Sequence, residues 1–210
     1  MPQIFCLGHS ITYGRWDTEG GWTQRLREKL DDISLENEGE EDFQVWNLGI
    51  PGEDSRQLLE RMDDELGRRI YEPMQQVIIL QLGANDIQYL AGEDRIRVTE
   101  EEFRANLEKI VEKSREHAEK VVLVSEAFIT IDGPIPWAEE KELSDERLEG
   151  YVKIQREVSE QENLPFIDLR EKFSRQEWEE FLEDGCHPDN QGHRKIFQEV
   201  SEKLAEEGIL

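Results

Sequence analysis

Val77-Ile78-Ile79-Leu80 is apolar at four consecutive positions. A strand with one wet face alternates apolar and polar residues, so an unbroken run marks a strand covered on both faces, as in a parallel sheet between helices. The rest of the chain follows that lead. Residues 3–7, 43–48, 121–124 and 165–168 read as four further strands. Between them apolar residues recur at helical spacing. Trp22, Leu26 and Leu30 predict a helix over 21–32, and Leu58, Leu59, Met62, Leu66 and Ile70 a second. Phe103, Leu107, Ile110 and Val111 predict a third near 99–118, opened by Thr99 with Glu102 three residues later. Two more are expected over 144–161 and 189–206, with a short one around Trp178, Phe181 and Leu182. Strands alternating with helices five times predict an α/β fold with a parallel sheet covered on both faces. Residues 34–42 read as a polar connection, and 126–143, with Phe128, Pro134, Pro136 and Trp137, as an irregular segment. No repeat or linker divides the chain, so residues 1–210 are expected to form one domain.

The net charge is -25, with 36% charged residues against 36% hydrophobic ones. The sign argues against nucleic acid and against anionic membrane surfaces. Two readings of the acidity stand: an ordinary acidic cytosolic protein, or adaptation to high salt, which screens carboxylate self-repulsion. Cys6 and Cys186 have no paired spacing, so no disulfide framework or zinc motif is readable. No signal peptide precedes the first strand and no apolar run approaches a membrane span, so a cytoplasmic location is expected.

Ligands of open α/β sheets sit outside the carboxyl ends of the strands. Four turns place polar residues there or near the C-terminus. Ser10 follows the first strand, where it serves as a nucleophile, a phosphate binder or a plain helix N-cap. Gly52 follows the second strand and Asn85 the third. Asp184 and His187 share a tight turn before the last helix. A serine hydroxyl needs a base, and histidine supplies one near neutral pH once a carboxylate fixes its tautomer. Pro188 holds His187 extended and suits the first turn of the helix beyond. The backbone N–H groups of Ser10 and Gly52, with the Asn85 amide, would make an oxyanion hole.

These stretches resemble the SGNH (GDSL-type) hydrolase family. Four blocks stand in the family's order: Gly8-His9-Ser10-Ile11-Thr12, Asn47-Leu48-Gly49-Ile50-Pro51-Gly52, Gly83-Ala84-Asn85-Asp86 and Asp184-Gly185-Cys186-His187-Pro188. The resemblance implies Ser10 as nucleophile, His187 as base, Asp184 as its orienter, and Ser10, Gly52 and Asn85 as oxyanion donors. It implies a three-layer α/β/α sandwich on a five-stranded parallel sheet, of flavodoxin-like form. It also implies hydrolysis of esters or thioesters with no metal or cofactor. An α/β-hydrolase elbow is excluded, since Gly-x-Ser-x-Gly fails at Thr12. One departure stands out: the family's usual Asp before the serine is His9 here, which puts a family hydrogen bond in doubt.

The expected activity is a serine esterase acting on small-molecule, short-chain acyl esters. A ligand-binding domain without catalysis, motivated by His9, and an acyltransferase sharing the acyl-enzyme are the alternatives. Cys186 reads as a small packing residue, and His117 and His193 as having no catalytic role. Trp137 and Phe128 either line an acyl pocket or pack down their loop. The acidic surface mildly favours neutral or cationic substrates, and the oligomeric state is not legible.

Overall fold

The computed structural model of the chain describes residues 2–38 and 42–210. In chain order the elements are β1 (Pro2–Gly8), α1 (Ser10–Tyr13), α2 (Gly21–Glu36), β2 (Gln44–Gly49), α3 (Ser55–Gly67), β3 (Gln75–Gln81), β4 (Tyr89–Leu90), β5 (Arg95–Ile96), α4 (Glu100–His117), β6 (Lys120–Val124), β7 (Gly133–Ile135), β8 (Ala138–Leu143), α5 (Asp145–Gln161), β9 (Phe166–Ile167), α6 (Leu169–Lys172), α7 (Arg175–Glu179) and α8 (Asn190–Glu206). The main sheet has five parallel strands in the order β2-β1-β3-β6-β9.

Strand periodicity builds the three layers. Phe5 and Leu7, Ile78 and Leu80, and Val121 and Leu123 pack with Leu58, Met62, Phe103, Leu107, Leu148 and Val152 of α3, α4 and α5. The intervening Ile4, Cys6, Val77, Ile79, Val122 and Val124 face the other way, against Trp22, Leu26 and Leu30 of α2 and Ile196, Val200 and Leu204 of α8. Each of these side chains is almost wholly buried, which stabilises the fold by about 1.5–3 kcal/mol apiece before ordering entropy is counted. That is how a chain with so few hydrophobic residues still closes both faces of its sheet.

The order β2-β1-β3 reverses direction at β1, so the crevice of the fold opens between the carboxyl ends of β1 and β3. Two glycines let the chain close there. A Cβ at Gly8 would collide with the Gln81 carbonyl oxygen and the Thr12 hydroxyl, and one at Gly49 with the Tyr13 N–H. The α1 turn therefore lies directly on the ends of β1 and β2.

Several readings of the sequence are corrected. α3 ends at Gly67, short of Ile70, and α7 ends at Glu179, short of Phe181 and Leu182. The first long helix runs to Glu36, so the polar connection begins later, and its residues 39–41 lie outside the described residues. Residues 126–143 are not wholly irregular. β7 and β8 form an antiparallel hairpin that joins β4 and β5 in a four-stranded sheet ordered β5-β4-β8-β7. The sequence hides it because Glu139-Glu140-Lys141-Glu142 has no apolar alternation; the hairpin touches the core mainly through Ile135 and Leu143. Pro188 stands one residue ahead of the α8 cap, Asp189, rather than in the first turn. Among the described residues no helix is long and apolar enough to cross a membrane.

Candidate active site

Ser10 opens α1, and the preceding residue, His9, is the cap: its Nδ1 accepts the Ile11 N–H at 3.4 Å. The Ser10 hydroxyl is therefore not spent on capping. It lies 2.9 Å from His187 Nε2, across 177 residues of sequence. On the far side of the ring, His187 Nδ1 stands 2.8 Å from Asp184 Oδ2. This network assigns the proton to Nδ1 and leaves Nε2 free to accept from Ser10.

Asp184 is held by more than the histidine. Its Oδ1 accepts the backbone N–H groups of Cys186 at 3.1 Å and His187 at 2.8 Å, which closes the tight turn. Its Oδ2 also accepts the Trp16 indole N–H at 2.7 Å. Burial alone would raise its pKa; the bonds from His187 and from Trp16 more than reverse this and leave it at about 2. The carboxylate thus stays ionised beside the imidazole. Its contribution to stability is present above the ordinary carboxylate pKa and is lost as pH falls from about 4 towards 2.

Gly52 and Asn85 reach the same place from β2 and β3. The Ser10 and Gly52 N–H groups donate to no backbone acceptor among the described residues. Asn85 Nδ2 donates one hydrogen to the Glu53 carbonyl at 3.0 Å, and its Oδ1 accepts from Gln88 at 3.0 Å, so the amide is fixed with one N–H left over. The Gly52 turn is clamped in turn: Arg61 grips both Glu53 carboxylate oxygens at 2.5 and 2.6 Å and bonds the Leu48 carbonyl.

Ser10, Gly52, Asn85 and His187 share a cavity of about 220 Å³, walled by Ile135, Trp137 and Leu143. The Trp137 ring lies 5.9 Å from the His187 ring. Phe128 does not take part; it packs on the α2–α8 side with Arg170 and Arg175 over its ring. A larger open groove of about 570 Å³ lies alongside, between Asp54, Arg56, Arg97 and Lys141, and meets the serine cavity at Lys141. It contains no nucleophile and base in contact.

The sequence profile of the GDSL-like lipase/acylhydrolase family matches residues 6–195. The chain belongs to that family. It is a serine hydrolase of the SGNH type. Solved structures with this fold include a lipase/acylhydrolase from Enterococcus faecalis, 27% identical, TM-score 0.71, covering 99% of this chain and 97% of its own. An acetyl xylan esterase, AlAXEase, is 20% identical with a TM-score of 0.73, covering 96% and 99%. An enzyme from the Lake Arreo metagenome, LAE5, is 21% identical with a TM-score of 0.72, covering 99% and 95%. No curated protein matches the chain.

This GDSL-like chain fills the place of the family's usual Asp with a different bond. His9 is 1% exposed, and its Nε2–H donates to Glu126 Oε1 at 2.7 Å, tying the end of β1 to the end of β6. Burial lowers the pKa of His9, but Glu126, Asp86 and Glu53 outweigh it and leave it raised. The sequence gives no sign of this partner, nor of Trp16: neither is near its partner along the chain. Cys186 borders the cavity, and burial pushes its thiol pKa up, so it remains protonated. His193 donates to the Arg15 carbonyl at 3.1 Å and supports the Trp16 turn. His117 pairs with Asp63 on the surface, away from the site.

Asp86, the last residue of the third block, ties that turn to the start of α3. Its Oδ1 accepts the Ser55 N–H at 2.9 Å at the start of α3, while Oδ2 is buried without a partner. Burial raises its pKa to about 6. Between about pH 4 and 6 the unfolded chain has lost this proton and the folded chain has kept it, so stability falls as pH rises through that window. Asp86→Asn copies the protonated carboxyl and keeps the acceptor for Ser55. Urea unfolding of the variant should show a stability gain over wild type that is near zero at pH 4 and reaches up to about 3 kcal/mol at pH 7. A difference independent of pH would contradict this.

Proposed function

We propose that residues 1–210 form one catalytic domain, a serine esterase that hydrolyses small esters through an acyl-enzyme on Ser10. The observation that carries the reading is the continuous line of bonds from Ser10 to His187 to Asp184, with Ser10 and His187 lining one cavity. Ser10 Oγ attacks the ester carbonyl as His187 Nε2 takes its proton. The tetrahedral oxyanion is held by the N–H groups of Ser10 and Gly52 and the free N–H of Asn85; loss of one such donor typically costs ~3 kcal/mol of transition-state stabilisation. His187 then protonates the leaving alcohol. Water, deprotonated by His187, releases the acid from Ser10.

The cavity volume of about 220 Å³ is below the roughly 300–1,000 Å³ of pockets for drug-sized ligands, which supports a short acyl group. The test is hydrolysis of p-nitrophenyl esters from acetate to palmitate by wild type beside Ser10→Ala. A Ser10-dependent rate that is highest between acetate and butyrate is expected. A maximum at palmitate would contradict the short acyl chain, and a rate equal in both proteins would contradict the mechanism.

A further inference from the structure

The chain has 50 acidic residues against 25 basic ones, yet the serine cavity has the opposite balance. Arg15 and Lys141 border it, and no carboxylate does among the described residues. Four other arginines are committed to carboxylates, Arg25 to Asp17, Arg61 to Glu53, Arg97 to Asp54, and Arg170 to Asp145 and Glu149, while Arg147 donates to the Ile87 and Glu142 carbonyls. Arg15 and Lys141 make no ion pair or side-chain hydrogen bond among the described residues. The Arg15 guanidinium lies 4.9 Å from the centre of the Trp16 ring, and its Nε is buried without a partner. Of the carboxylates near the cavity, Glu126 is paired with His9, Glu53 with Arg61 and Asp184 with His187, and Asp86 is buried against the Ser55 N–H; none of them pairs with Arg15 or Lys141.

A half-buried cation that has lost part of its hydration and gained no counter-charge is poised to take one from a ligand. Two such groups border one cavity, in a chain where carboxylates outnumber cations two to one, so the charged side chains that line it are cationic although the protein is acidic overall. We propose that this site selects esters that carry an anionic group, a carboxylate or phosphate, within reach of Arg15 and Lys141. This deepens the esterase reading and rests on it. It also reverses the preference for neutral or cationic substrates suggested by overall charge, because a pocket's charge is set by the few side chains that border it.

Matched esters differing only in carboxylate against carboxamide test the proposal. Monomethyl succinate and methyl succinamate place the charge on the acyl side; 4-carboxyphenyl and 4-carbamoylphenyl acetate place it on the leaving group. Each kcat/KM is divided by the rate constant for hydroxide. Wild type should prefer the carboxylate in at least one pair by about tenfold or more. The ratio should fall towards one in the double variant Arg15→Gln, Lys141→Gln, and part-way in each single variant, which serves if the double does not fold. The proposal is overturned if neither pair favours the carboxylate in wild type, or if the preference survives these substitutions. Turnover of the uncharged esters reads the esterase itself, so a failed charge preference is seen separately from a failed hydrolase.

Discussion

Replacing Ser10 with alanine is expected to lower kcat on a p-nitrophenyl ester by about four orders of magnitude or more, leaving only the residual rate that oxyanion donors and binding supply. The substitution removes one hydroxyl whose bond is to His187 Nε2. The imidazole keeps its anchor on Asp184, and α1 keeps its cap on His9. Stability should therefore change by no more than about 1 kcal/mol, so a folded, inactive protein is the outcome to look for. His187→Ala should lose a similar amount, and the double variant should be no worse than either, because nucleophile and base act as one unit. Steady-state rates with thermal unfolding of each variant check both halves.

Asp184→Asn is expected to cost about three to four orders of magnitude in kcat. The reason lies in which oxygen does what. Oδ1 accepts two backbone N–H groups, so the asparagine carbonyl must stay there to hold the turn. The amide nitrogen then replaces Oδ2, facing two donors, His187 Nδ1–H and the Trp16 indole N–H. The imidazole can relieve the clash only by moving its proton to Nε2, where it can no longer accept from Ser10. The backbone bonds thus make the substitution worse rather than milder, against the simpler expectation that a firmly held turn would orient His187 by itself. Trp16→Phe removes one of the two donors and should change kcat only several-fold; a loss as large as that of Asp184→Asn would show that the indole bond, and not the tautomer, governs the site.

The central strand at 77–80 is legible in the sequence because burial on both faces leaves no polar position to disguise it. The helices are legible because Leu26, Leu107 and Val200 stand at turn-by-turn spacing on sheet-facing sides. The small sheet is not, since Glu139 to Glu142 carry no apolar alternation. Ser10, Gly52 and Asn85 stand out in the sequence because turns after strands converge at one edge of a parallel sheet, whereas Asp184 and His187 lie between two helices and are picked out by their spacing and by the resemblance of the four blocks to the family. Their partners do not stand out: Trp16 and Glu126 meet Asp184 and His9 only through the fold, from loops whose course no periodicity records. The charge of the cavity is hidden for a related reason. Arg15 and Lys141 are ordinary surface letters in the sequence, and become distinctive only when the fold sets both on one cavity with no carboxylate paired to either.

The most direct measurement is intact-protein and peptide mass spectrometry after exposure to a small alkyl fluorophosphonate, on wild type, Ser10→Ala and His187→Ala. A nucleophilic serine activated by His187 predicts one phosphonyl adduct per chain, on the peptide containing Ser10, absent from Ser10→Ala and strongly slowed in His187→Ala. Phosphonylation at another residue, or none on folded wild-type protein, would contradict the assignment of Ser10 as the nucleophile.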